Sequence, residues 1–294
     1  MTAPMTDTTD TAATPLAQSA PSPAPAPEGS KPAKKHKEED NFFVFLIKLA
    51  VVVLVFRSFI FSPFNIPSES MLPKLVDGDY LLAAKWPYGF SRYSMPFSIP
   101  LIPGRVLPHD PKRGDVVIFK APPGNDVDYI KRVVGLPGDT VQMLHGQVIL
   151  NGKPIPKVRV ADFTVAVSPN THCYDVQFEK TTADGQTICS YPRFRETLPG
   201  GKSYDVLDLG ARAQDDTTPV LVPEGHLFLM GDNRDNSLDS RFPAIEGGGI
   251  GLVPEKNLVG RAEIIMWSTD GSASWINPIS WFTAARWNRI GTTF

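Results

Sequence analysis

The chain has 294 residues, 42% of them hydrophobic, enough to bury a sizeable core, and it carries only two cysteines, so it is no small disulfide-stapled scaffold. Its formal net charge is −2 and stays so when the first 64 residues are removed. A nucleic-acid-binding chain would show a basic excess, so that class is set aside and no nucleic-acid partner is expected.

Residues 1–40 contain no aromatic side chain and consist mostly of Ala, Pro, Thr and Ser. Such a composition buries too little surface to offset chain entropy and reads as a disordered tail. Lys31, Lys34, Lys35 and Lys37 lie at its end, and because topology follows Lys and Arg rather than net charge, the tail is expected to stay cytoplasmic. Residues 41–63 form the only long apolar run. Lys48 and Arg57 interrupt it, but both can reach polar surroundings with their long stems, which gives a single-pass transmembrane signal anchor. A cleaved signal peptide is the rival reading. It is disfavoured by the long polar leader and by the lack of a small-x-small site after the run.

Beyond the anchor, β-type patterning dominates, with strands expected over 80–85, 116–120, 129–134, 141–144, 147–150, 226–230 and 258–266. His145-Gly146 and Asn151-Gly152 mark tight hairpin turns. Pro, Gly and charged residues thicken from about 153 to 223, and Cys173 and Cys189 lie in that stretch. In an oxidising compartment the pair can form a bridge that contributes about 3 kcal/mol; two unpaired thiols are the alternative. The aromatic runs 86–107 and 275–287 read either as covered core or as surfaces that meet lipid headgroups.

Three segments carry candidate chemistry. Ile66-Pro67-Ser68-Glu69-Ser70-Met71 follows the anchor directly, Asp128-Tyr129-Ile130-Lys131-Arg132-Val133-Val134-Gly135 offers a lysine among apolar neighbours, and Gly231-Asp232-Asn233-Arg234-Asp235-Asn236-Ser237-Leu238-Asp239-Ser240-Arg241-Phe242 forms a polar loop. A lysine can take a proton from a serine hydroxyl only after losing its own, which desolvation promotes. Lowering a lysine from about 10.4 to about 8.4 costs about 2.7 kcal/mol and raises its neutral fraction at pH about 8 from about 0.4% to about 30%. One buried side chain can supply that. On an extended strand Lys131 and Arg132 point to opposite faces, so Arg132 is expected to be solvated. The polar loop also places Asp235, Ser237, Asp239 and Glu246 at calcium-loop spacing, but Ser240 stands where the obligatory glycine would be and Pro243 sits at position nine. There is no G-x-S-x-G elbow, and none of the five histidines has a metal-motif partner, so neither metal nor cofactor is expected.

Together with Arg113-Gly114-Asp115-Val116-Val117-Ile118-Phe119 and Gly135-Leu136-Pro137-Gly138-Asp139, these segments resemble the bacterial type I signal peptidases (leader peptidases), membrane-bound Ser/Lys proteases that remove secretory signal peptides. The likeness runs from about Phe56 to about Ser268. It implies a mostly β fold with an antiparallel, barrel-like catalytic core in two parts, 64–152 and 224–294, and an inserted β-rich cap over 153–223. It also implies that Ser70 is the nucleophile and Lys131 the general base. Ser68 and the Ser70 backbone N–H would stabilise the oxyanion, Ser237 would orient the lysine, and Asp239 would pair with Arg241 in support. Phe64, Ile66 and Ile130 would wall pockets for small residues before the cut. The expected partners are signal-peptide-bearing preproteins and the lipid bilayer, with the catalytic domain on the periplasmic side of the inner membrane. The single apolar run departs from relatives that have two. A relative dedicated to one precursor, and an anchored β domain that binds exported chains without cutting, are the competing functions.

Overall fold

The computed structural model describes residues 35–95, 98–274 and 276–294. Most of the expected tail therefore lies outside the described residues, as do Phe97 and Trp275 of the two aromatic runs. Helix α1 spans Lys35–Phe59, beginning inside the stretch read as tail and stopping four residues short of 63. Its Asn41–Phe59 portion is long and apolar enough to cross a membrane, and its large apolar side chains from Phe42 to Phe56 are exposed, Phe43, Ile47 and Val52 by well over half. The helix ends where Ser62 Oγ donates to the Arg57 carbonyl and the chain extends.

Strands β1 (Phe61–Asn65), β2 (Asp79–Ala84), β3 (Phe90–Ser91), β4 (Arg105–Val106), β5 (Val116–Lys120) and β6 (Asp128–Gly135) follow. The 153–223 stretch is preceded by β7 (Thr140–Leu144) and β8 (Gln147–Leu150) and opens with β9 (Lys153–Pro154). Within it lie β10 (Lys157–Ala166), β11 (Glu179–Thr181), β12 (Thr187–Thr197), β13 (Ser203–Leu207) and β14 (Val220–Leu221). The chain closes with β15 (His226–Met230), β16 (Val253–Pro254), β17 (Leu258–Ser268) and the short helix α2 (Pro278–Thr283).

All seven expected strands are present within one or two residues at each end. Five of them, β2, β5, β6, β15 and β17, join β1 and β16 in an antiparallel seven-stranded sheet in the order β1-β2-β17-β5-β6-β15-β16, so the fold is mostly β with a curled, barrel-like sheet. A second sheet joins β14-β7-β8-β9, and a third joins β10-β12-β11 with β13 on β12. Alternate burial along β7 and β8 shows the period of two that a one-sided sheet requires. His145-Gly146 and Asn151-Gly152 have positive φ at both residues, the conformation that matches the twist of a two-residue hairpin.

Strand β6 lies inside the main sheet, and from Ile130 onward every residue is buried. Ile130 joins a cluster with Ile66, Met71, Leu75, Val116 and Ile118, whereas Val133 packs with Val117, Phe119, Leu227 and Leu229. Arg132 is accordingly only 3% exposed, which corrects the expectation of a solvated side chain. Its guanidinium donates to both Asp232 carboxylate oxygens at 2.7 and 2.6 Å and to the Gly114 carbonyl, and it lies over the Tyr204 ring. A charge can be buried here because the third segment supplies its counter-charge from 100 positions away.

Cys173 and Cys189 are joined by a disulfide, so the free-thiol alternative falls. In the aromatic runs, Tyr88 and Tyr93 are core residues, while Trp86, Leu101, Leu107, Ile279, Trp281, Phe282 and Trp287 are exposed.

Candidate active site

Ser70 sits in a single 3-10 turn, Glu69–Met71, that follows an extended stretch. Ile66 fixes that stretch by exchanging backbone hydrogen bonds with Asp79 and Gly78, and Met71 and Leu75, both fully buried, pin the far side of the turn into the core. The polar loop holds the turn from behind. The Asn233 N–H donates to the Ser70 carbonyl at 3.1 Å, and Asn233 Nδ2 donates to the Glu69 carbonyl. A Cβ on Gly231 would fall 2.3 Å from Ser237 Oγ and 2.5 Å from the Ser70 carbonyl oxygen, so only glycine lets the two segments approach this closely. Asp239 shapes the loop by accepting from the Gly231 N–H at 3.0 Å and from Arg241 Nε at 2.9 Å, a fully buried pair. Gly231 and Asn233 stand in the quoted motif, yet their role was not readable, because both act through backbone atoms of Ser70.

Register places Lys131 opposite Val117 in the sheet, and its side chain runs to the serine. Lys131 Nζ and Ser70 Oγ are 2.6 Å apart, and the amine also donates to the Ile130 carbonyl at 3.1 Å. Lys131 is 4% exposed. Burial pushes its pKa down to about 8, against the more distant carboxylates of Asp239 and Asp232, which pull it up. No carboxylate touches the amine among the described residues, so dryness outweighs attraction.

Ser68 is exposed, with its Oγ 3.4 Å from Ser70 Oγ. Ser237 Oγ is buried and has no hydrogen-bond partner, so the lysine-orienting bond that the family resemblance implies is absent from this structure. A groove of about 610 Å³ opens beside the pair, and Phe64, Ile66, Ile130, Tyr129, Leu238 and Phe242 contribute its apolar walls. The arrangement places a hydroxyl, a poorly hydrated amine and a free edge of extended chain together, which is what transfer of an acyl group to serine requires. Among the described residues no group of His, Cys, Asp and Glu could hold a metal ion.

Comparison with known proteins bears on the same segments. A sequence model of the family described as "Signal peptidase, peptidase S26" matches residues 40–267. The signal peptidase I of Rickettsia typhi is 34% identical over 281 residues, covering 90% of this chain and 96% of its own. That of Rickettsia conorii is 34% identical over 275 residues, covering 87% and 92%. The crystal structure of a signal peptidase I from Enterococcus faecalis is similar with a TM-score of 0.27 at 22% identity, covering 52% of this chain and 97% of that one. Since the family match takes in all three chemistry-bearing segments and the Rickettsia enzymes align over nearly their whole length, the chain belongs to the signal peptidases of peptidase family S26, serine peptidases that remove signal peptides.

Proposed function

We propose that this signal peptidase works through a Ser70–Lys131 dyad and an acyl-enzyme. Neutral Lys131 takes the hydroxyl proton as Ser70 Oγ attacks the carbonyl carbon of the scissile bond. The Ser68 hydroxyl and the Ser70 backbone N–H donate to the oxyanion that forms. On collapse the C–N bond breaks, and the lysine passes its proton to the departing amine. Water, deprotonated by the same lysine, then releases the cleaved chain and restores the serine. The observation that carries this reading is the 2.6 Å separation of Nζ and Oγ around a buried amine. Asp239 and Arg241 hold the loop behind the nucleophile, and Ser237, facing the groove with an unused hydroxyl, is available to the amine once substrate arrives.

The precursor lies extended in the groove. Phe64, Ile66 and Ile130 limit the residues before the cut to small ones, giving cleavage after a small-x-small motif. Residues 41–63 anchor the enzyme in the inner membrane with its N-terminus in the cytoplasm. Residues 64–152 and 224–294 form the periplasmic catalytic core, and 153–223 form an inserted cap. The disulfide in that cap supports an oxidising compartment. Trp86, Leu101, Trp281, Phe282 and Trp287, all exposed, meet lipid headgroups in this reading.

In detergent, Ser70→Ala and Lys131→Ala are each expected to abolish cleavage of a secretory precursor while leaving the fold intact by circular dichroism. Activity retained in either pure variant rules the dyad out. A panel of unrelated precursors separates a general processor, which cuts most of them, from an enzyme dedicated to one.

A further inference from the structure

A second cavity, of about 580 Å³, opens at the end of α1, and Arg57, Ser62, Lys85 and Lys120 contribute polar groups to its wall. Lys85, just after β2, is its unusual member. It is 4% exposed, and its side chain makes no hydrogen bond or ion pair with any described residue; the contact it does make places Nζ over the Phe64 ring, 5.7 Å from the centroid. An ammonium taken out of water without a counter-charge is costly, and an anion entering the cavity would relieve that cost. Burial lowers Lys85 to about 8, with Asp128 pulling it up and Lys120 and Arg57 pushing it further down, so it is mostly protonated at neutral pH.

Asp128 is the carboxylate in the cavity lining, and it is already engaged by Lys120 Nζ at 3.1 Å. That leaves Lys85 and Arg57 as uncompensated positive charges. Arg57 is exposed and its side chain, too, is unpaired among the described residues. Three further lining residues give the ligand its shape. Ala50, Val53, Leu54 and Arg57 follow the i, i+3, i+4, i+7 spacing that puts side chains on one face of a helix. An apolar track of about 10 Å therefore runs along α1 and ends at two cations. A free inorganic anion would have no use for that track, whereas an amphiphile matches both parts.

We infer that this cavity binds an anionic phospholipid, its phosphate held by Lys85 and Arg57 and the upper part of an acyl chain lying along Ala50, Val53 and Leu54. The inference rests on the reading of α1 as a membrane anchor. The site shares Phe64 and Asp128 with the wall of the substrate groove, so a bound lipid would brace the wall that faces the precursor.

The test uses the full chain in nanodiscs of phosphatidylcholine doped with phosphatidylglycerol, with retained lipid counted by native mass spectrometry after release. Wild type is expected to keep one phosphatidylglycerol per chain, and Lys85→Gln and Arg57→Gln about tenfold less, as loss of a charge-assisted bond implies. Lys153→Gln, at the start of β9 and outside the cavity lining, is expected to behave as wild type. Arg57 is exposed on a helix end, so its variant keeps the fold and decides the matter should Lys85→Gln prove unstable. Retention by the Arg57 and Lys85 variants equal to that of wild type overturns the site. Displacement of the retained lipid by inorganic phosphate assigns it to a free anion and overturns the lipid. A chain that fails to enter pure phosphatidylcholine nanodiscs refutes the anchor itself, whereas one that enters and keeps phosphatidylglycerol regardless of Lys85 and Arg57 refutes the site alone.

Discussion

Replacing Lys131 by Met should make the protein more stable at neutral pH while removing its activity. The amine is 4% exposed and its pKa falls from 10.5 to about 8 on folding, chiefly through burial. At about 1.36 kcal/mol per unit, holding that ammonium in the folded state at pH 7 costs about 3 kcal/mol. The folded chain binds fewer protons than the unfolded chain between pH 8 and 10.5, so wild-type stability rises as pH rises through that window and the penalty is fully present below it. Methionine has a similar length and no charge. It forfeits the bonds to Ser70 and Ile130, at about 1 kcal/mol each, which leaves a net gain of about 1 kcal/mol at pH 7. The gain should vanish or reverse by pH 10.5, where the folded-state lysine is neutral and the unfolded one is half deprotonated. Urea denaturation followed by tryptophan fluorescence at pH 7 and pH 10.5 measures both quantities. The same pKa requires wild-type kcat/KM to climb about tenfold per pH unit below about pH 8 and to level off above it. A methionine variant less stable than wild type at pH 7, or a rate profile flat between pH 6 and 8, would refute the desolvated base.

Three further outcomes follow from the geometry. Ser68→Ala should lower kcat about a hundredfold with little change in KM, the usual effect of losing one oxyanion donor, as read from steady-state cleavage of a peptide substrate. Gly231→Ala should cut kcat by at least about tenfold, because a Cβ 2.5 Å from the Ser70 carbonyl oxygen must displace the nucleophile's turn, and misplacement of this size is felt strongly; unchanged kinetics would show that the turn is not held from behind. Arg132→Ala strands the buried Asp232 carboxylate and should cost about 3 to 5 kcal/mol in a urea melt, whereas Arg132→Ala with Asp232→Ala should recover part of that loss.

The strands were legible because alternation and β-branched content are local properties, and both hairpin turns announced themselves through Asn-Gly and His-Gly pairs that tolerate positive φ. Ser70 and Lys131 could be nominated from their neighbourhoods, but their meeting depends on two distant facts. One is the register that sets Lys131 against Val117, and the other is the turn that Asn233 holds, and neither is local. Arg132 was misjudged for the same reason. The face rule predicts which way a side chain points, not whether another segment arrives to cover it. Arg234 is a parallel case, buried against Glu196 of β12, a partner that no spacing pattern could suggest. Ser237 shows the opposite limit, since a motif can carry a residue into the right groove without forming the bond its relatives imply.

Phe64, Tyr129 and Ile130 line the groove, and Tyr129 also lies against the lysine, with Nζ 5.7 Å from the ring centroid. On the proposed reading, selectivity and basicity thus share part of one wall. Carving the walls back to admit a bulkier residue would let water reach the amine, restore its affinity for a proton and slow the chemistry at neutral pH. An enzyme built this way cannot become more permissive without becoming slower, unless some new contact keeps the enlarged chamber dry.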